Sequence, residues 1–120
     1  MKKIIIDGEF VTLNQYIEAE RINLHIAAKI KKEATENVAW ATVGVLPVNK
    51  YPIKFVFNWY CKNTRTDPDN VAFAKKYILD GLVKSRVIAS DAWKFCSGGF
   101  QDEFFVDAKN PRVEIEILES

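Results

Sequence analysis

Apolar and polar residues alternate most cleanly in PIKFVFNWYC, where Ile53, Phe55, Phe57, Trp59 and Cys61 take one side and Lys54, Val56, Asn58 and Tyr60 the other. A period of two marks a strand with one face on a core. The alternation returns near the end of the chain in PRVEIEIL, with Val113, Ile115 and Ile117 set against Arg112, Glu114 and Glu116. The opening KIIIDGEFV predicts a strand, a turn at Asp7-Gly8 and a second short strand, because Asp-Gly favours two-residue hairpins. WKFCSGGFQDEFFVD predicts two further strands around Ser97-Gly98-Gly99.

Elsewhere the period lengthens to that of a helix. Leu13, Tyr16, Ile17, Leu24, Ala27 and Ala28 recur at helical intervals, with Glu18, Arg21, His25, Lys29 and Lys32 on the remaining faces. Thr12 and Gln15 have the spacing of a capping box, so this helix starts there and fades between Ala34 and Gly44. A second helical stripe runs through Val71, Ala74, Ile78 and Leu82 and ends at Gly81 or at the KSR segment, Lys84 to Arg86. Strand pairs joined by turns outnumber βαβ units, which predicts an α+β fold: a mixed or antiparallel sheet packed with helices. At 120 residues the chain has the length of a single domain, 1–120, with no internal repeat.

Composition narrows the picture. With 48% hydrophobic and 28% charged residues, the chain suits a globular protein and not a disordered one. No apolar run is long enough to cross a bilayer, and the apolar part of MKKIIIDGEF is too short for a signal sequence, so the expected location is cytoplasmic. Cys61 and Cys96 lack zinc-site spacing and read as free, partly buried thiols. A formal net charge of +1 excludes a uniformly basic DNA-coating protein and leaves room for local basic patches beside an acidic pocket.

The candidate chemistry centres on TRTDPDNVAF, where the strand of Ile53 to Cys61 hands over to a helix. Asp67 is a good N-cap, Pro68 suits the first helical position, and Asp69 complements the positive end of the helix dipole. On this pattern alone, helix initiation is the better reading. Asp91, beyond the helix and a short connection in VIASDAW, changes the balance if the chain folds back. Three carboxylates brought together repel one another unless a cation is bound, and oxygen donors without His or Cys favour Mg²⁺ or Mn²⁺ over zinc.

DPDN (Asp67 to Asn70), then a helix carrying LDGL (Leu79 to Leu82), then Asp91 before a tryptophan, form an ordered set that resembles the RusA-like Holliday junction resolvases, crossover junction endodeoxyribonucleases common in phages and prophages. The resemblance covers Asp67 to Ile117, through the closing GF, FFVD and NPRVEIEI, and more loosely the N-terminal TLNQYIEAER. It implies a homodimeric, Mg²⁺-dependent nuclease that resolves four-way junctions by paired symmetric incisions in DNA recombination and repair. It further implies that Asp67, Asp69 and Asp91 are metal ligands, that Asn70 supports them from behind, and that Lys76, or else Lys75, acts on the charge developing at phosphorus. Ser90 stands where family members often carry a second acid.

A junction is recognised by shape and phosphate placement, so lysines and arginines are expected to carry the affinity. Arg21, Lys29, Lys32, Lys62, Arg65 and Lys94 are the candidates, each with solvated surface as its plainer reading. His25 reads as a surface histidine and Trp93 as a core residue, and neither is assigned a role. The competing functions are a nuclease for flaps or other branched DNA, and a non-catalytic DNA-binding phage module that would gain nothing from three acids facing phosphates.

Overall fold

A computed structural model describes every residue from Met1 to Ser120. The chain runs β1 (Lys2–Asp7), α1 (Leu13–Ile22), α2 (Leu24–Ala41), β2 (Lys54–Cys61), α3 (Pro68–Ala72), α4 (Lys75–Lys84), α5 (Trp93–Cys96), β3 (Gly99–Val106) and β4 (Arg112–Leu118). The strands form one four-stranded sheet in the order β1-β4-β2-β3. β4 pairs antiparallel with both β1 and β2, while β2 and β3 run parallel, so the sheet is mixed and the fold is α+β.

Alternation sets which face is covered. Ile4 and Ile6 of β1, Val113, Ile115 and Ile117 of β4, and Phe55, Phe57 and Trp59 of β2 all point to one side and are buried with Val38 of α2 and with Tyr77, Ile78 and Leu82 of α4. A single cluster of 20 buried residues, from Ile4 to Ile117, holds sheet and helices together. The opposite face has no helix on it. There the Lys3 ammonium and the Arg112 guanidinium clasp the Glu114 carboxylate at 2.9 and 2.7 Å, and Arg112 lies 3.8 Å over the Tyr60 ring.

Four expectations from the sequence are corrected. Gly8, at φ 88°, does turn the chain, but no second strand follows: the Gly8 amide bonds Pro111, and β1 finds its partner in β4. Too few residues separate Gly8 from the Thr12 cap to form a strand, whereas β4 offers a full alternating face. The first helix is two helices. Asn23, extended at φ −166°, ends α1 and caps α2 through a 2.7 Å bond from the His25 amide to its side chain. The capping box itself forms, with Thr12 N–H on Gln15 Oε1 at 2.9 Å and Gln15 N–H on Thr12 Oγ1 at 3.3 Å.

The second helical stripe is also divided. After Ala72 the amides of Ala74 and Lys76 reach back to the carbonyls of Val71 and Phe73, a tighter winding than that of an α-helix, before α4 resumes. Last, Trp93 to Cys96 form a helical turn instead of a strand. Cys96 turns inward, and the Phe95 carbonyl accepts from Ile53 N–H at 2.8 Å, which docks the turn beside the entry to β2. No helix is long and apolar enough to cross a membrane.

Candidate active site

β2 ends at Cys61, whose carbonyl is tied to the Asp107 amide at 2.7 Å, so the loop that follows leaves the sheet from a fixed point. Asp67 then starts α3 with extended backbone angles, and its carbonyl accepts from Asn70 and Val71 at 3.0 and 3.1 Å. Its carboxylate makes no capping bond. Helix initiation is therefore carried by Pro68 and by the backbone, and the Asp67 carboxylate is exposed for other use. Asp69, also exposed, accepts the Asn70 amide on Oδ1 at 2.9 Å. Asn70 turns its Oδ1 into the protein, where it is buried without a hydrogen-bond partner.

Asp91 lies in the connection after α4, and the fold returns it to the helical run that Asp67 begins. The contact is made by Lys76, whose ammonium is 3.0 Å from Asp91 Oδ2 and 3.0 Å from Asp80 Oδ1. The bond to Asp91, then that to Asp80, raises the Lys76 pKa above its ordinary value. Its side chain reaches Asp91 and, one turn forward, Asp80.

Lys75 serves another purpose. Its ammonium bonds Asp102 of β3 at 2.7 Å, 5.4 and 5.2 Å from the ring centres of Phe57 and Phe100, while Trp59 Nε1–H donates to the other Asp102 oxygen at 2.9 Å. Of the two lysines, Lys76 is the one beside a candidate ligand. Sequence reasoning missed Asp80 and Asp102 as partners. The i,i+4 spacing of Lys76 and Asp80 was the available signal for the first; no local pattern marks the second, since it comes from a distant strand.

Ser90 accepts the Ala92 amide on Oγ at 3.0 Å and shapes the turn that carries Asp91. Both cysteines are free as expected, and burial raises the pKa of each thiol. His25 is exposed. Trp93, expected in the core, is instead 87% exposed.

Asp67, Asp69 and Asp91 offer only carboxylate oxygens, donors whose chemistry suits a hard divalent ion. In this structure no three acidic, histidine or cysteine side chains gather closely enough to share one ion. What the fold assembles directly is a pair of carboxylates, Asp80 and Asp91, about one ammonium.

The basic candidates are all exposed, and several carry loose acidic partners: Arg21 with Glu18 at 3.8 Å, Lys29 with Glu33 at 3.9 Å, Lys62 with Glu9 at 3.8 Å. The break at Asn23 puts Arg21 on α1 and Lys29 and Lys32 on α2. Arg65 follows β2 in the loop before Asp67, its amide donating to Asn63 Oδ1 at 3.0 Å, and Lys94 lies 5.1 Å from the Phe95 ring centre. Such exposed pairs hold their lysines weakly and leave them available to an anion. Comparison with protein-family models and with curated proteins finds no match for this chain.

Proposed function

We propose that this chain is a Mg²⁺-dependent, structure-selective endodeoxyribonuclease of the RusA-like phage type, resolving Holliday junctions as a homodimer in DNA recombination and repair. The observation that carries the reading is the return of Asp91, through its 3.0 Å bond to Lys76, to the helical run headed by Asp67 and Asp69. That bond sets Asp91 beside α4, the helix that follows α3; convergence of its carboxylate with those of Asp67 and Asp69 on one ion is part of the proposal.

Asp67, Asp69 and Asp91 would hold Mg²⁺, with Mn²⁺ as an alternative, and Asn70 would brace the turn between the first two. Bound metal would stabilise negative charge on the scissile phosphate and acidify the attacking water. Hydrolysis adds the water oxygen to phosphorus and breaks the bond to the leaving sugar oxygen, which takes up a proton. Lys76 would supply a positive charge beside that phosphate, its ammonium held by Asp80 as well as by Asp91. Arg21, Lys29, Lys32, Lys62, Arg65 and Lys94 would neutralise phosphates along the arms. Two copies related by a dyad give paired incisions in strands of like polarity.

The test is incubation of purified protein with labelled four-way, flap and linear duplex DNA, with Mg²⁺, with Mn²⁺ and with chelator. Symmetric cuts in the four-way junction that need metal are expected, together with loss of cutting but retained binding in Asp69→Asn and Asp91→Asn. Preferential cutting of flaps would shift the substrate to other branched DNA. Binding without cutting by the wild type in either metal would leave the non-catalytic module as the reading.

A further inference from the structure

Of the three candidate metal ligands, Asp91 alone is ion-paired. Its Oδ2 lies 3.0 Å from the Lys76 ammonium, and that ammonium lies 3.0 Å from Asp80 Oδ1. One cation thus stands between two carboxylates, and neither carboxylate has another basic partner within ion-pair distance. Lys75 cannot take its place, because its ammonium is bonded to Asp102 at 2.7 Å.

The two acids that share Lys76 are held differently. Asp80 belongs to the same helix, α4, one turn on, where Leu79, Gly81 and Leu82 are buried around it. Lysine and Asp80 therefore keep their spacing wherever α4 goes. Asp91 belongs to the connection after α4, anchored before it by the Ala89 amide on Tyr51 Oη at 2.9 Å and after it by the burial of Cys96. Its carboxylate can turn about its own side-chain bonds without breaking either anchor.

A divalent ion and an ammonium compete for one carboxylate, since both are drawn to the same oxygens and repel each other. An ion arriving at Asp91 must draw that carboxylate away from Lys76. A lysine with no second acceptor would then be released to solvent, whereas here Asp80 remains beside it.

We propose that Lys76 is the built-in counter-ion of Asp91 when no ion is bound, and that Asp80 is a positioning residue that retains the ammonium when Asp91 turns to a divalent ion. This rests on the metal reading above, through Asp91 alone. Asp80 touches neither ion nor substrate in this role; it acts through the lysine.

The experiment measures Mn²⁺ binding in the absence of DNA, from the electron paramagnetic resonance signal of the free ion, for the wild type, Lys76→Met, Asp80→Asn and the double variant. Lys76→Met should tighten binding by roughly five-fold and Asp80→Asn weaken it by a similar factor, the upper end of what one exposed ion pair is worth. The double variant should match Lys76→Met, because without the lysine Asp80 has nothing to act through. Asp80→Glu, which keeps an acceptor for the ammonium, should restore most of the wild-type affinity.

If Asp80→Asn weakens Mn²⁺ binding equally with and without Lys76, Asp80 acts on the ion directly and the inference is overturned. Equal affinity in all the variants overturns it too, and both results leave the metal reading standing. Mn²⁺ binding that Asp91→Asn does not change, or no saturable binding by the wild type and Lys76→Met, overturns the metal reading and the inference with it. Those two outcomes are read without altering Asp80, so the failures are distinguishable.

Discussion

The Lys75 ammonium is bonded to Asp102 and flanked by two rings, with 21% of the side chain exposed, whereas the Lys76 side chain is 55% exposed between Asp80 and Asp91. Lys75→Ala should cost roughly 1–3 kcal/mol in urea unfolding, since it removes one charged partner of a part-buried carboxylate, and should change cleavage little at temperatures where the variant is folded. Lys76→Ala should leave the unfolding midpoint nearly unchanged and lower the single-turnover rate more than junction binding. Cleavage stopped by the first variant and not by the second would reverse the assignment. Glu114 offers a pH test. Hydrogen bonds from Lys3 and then Arg112 hold its pKa below the ordinary glutamate value, so it contributes stability that is present above that value and lost as pH falls through the lowered one. Wild type should therefore exceed Glu114→Gln in urea midpoint at pH 7, and the gap should close as the pH falls below about 4, near the ordinary value.

At the scale of elements, the helical run from Pro68 to Lys84 decides where the candidate site stands, and its position depends on one small residue. Gly81 faces α2 so closely that an added Cβ would overlap the Val38 side chain and come within 2.9 Å of the Thr35 carbonyl oxygen. Gly81→Ala gains up to about 1 kcal/mol of helix propensity but must push α4 away from α2, for an expected net loss of roughly 1–3 kcal/mol. Chemical denaturation measures it; a gain in stability would show that α2 yields easily. Because α4 carries Lys76 and Asp80, the same substitution should reduce junction cleavage in protein that is still folded. The glycine of LDGL is thus a packing residue, legible in the sequence as a motif but explained only by the helix opposite.

At the scale of the whole molecule, β3 is an edge strand of eight residues paired on one side only, with Phe100, Phe104, Phe105 and Val106 all substantially exposed. Asp102 and Glu103 are its only charges, and it has neither lysine nor proline to discourage pairing. Antiparallel pairing of two such edges about Phe104 would match the helix-covered faces of both copies. For the proposed homodimer, Phe104→Lys is expected to lower the mass found by light scattering to that of a monomer and to abolish the proposed paired incision. Unchanged dimer mass would place the interface elsewhere.

The sequence by itself determined the β2 and β4 strands, the Thr12–Gln15 cap and the α+β class, because each rests on a local period or a local hydrogen bond that neighbours in the chain supply; the parallel pairing of β2 with β3, which makes the sheet mixed, came from the tertiary structure. It also set out the acids as an ordered series. Only tertiary structure decided that Asp7-Gly8 leads to no hairpin, since β1 is completed by a strand from the far end of the chain. Only tertiary structure separated Lys75 from Lys76, since their partners come from β3 and from the turn before α5, and exposed Trp93 where an apolar residue read alone suggests burial. A side chain's period tells which way it points from its own element. What it meets there is fixed by elements distant in sequence, and that is where the candidate chemistry of this chain resides.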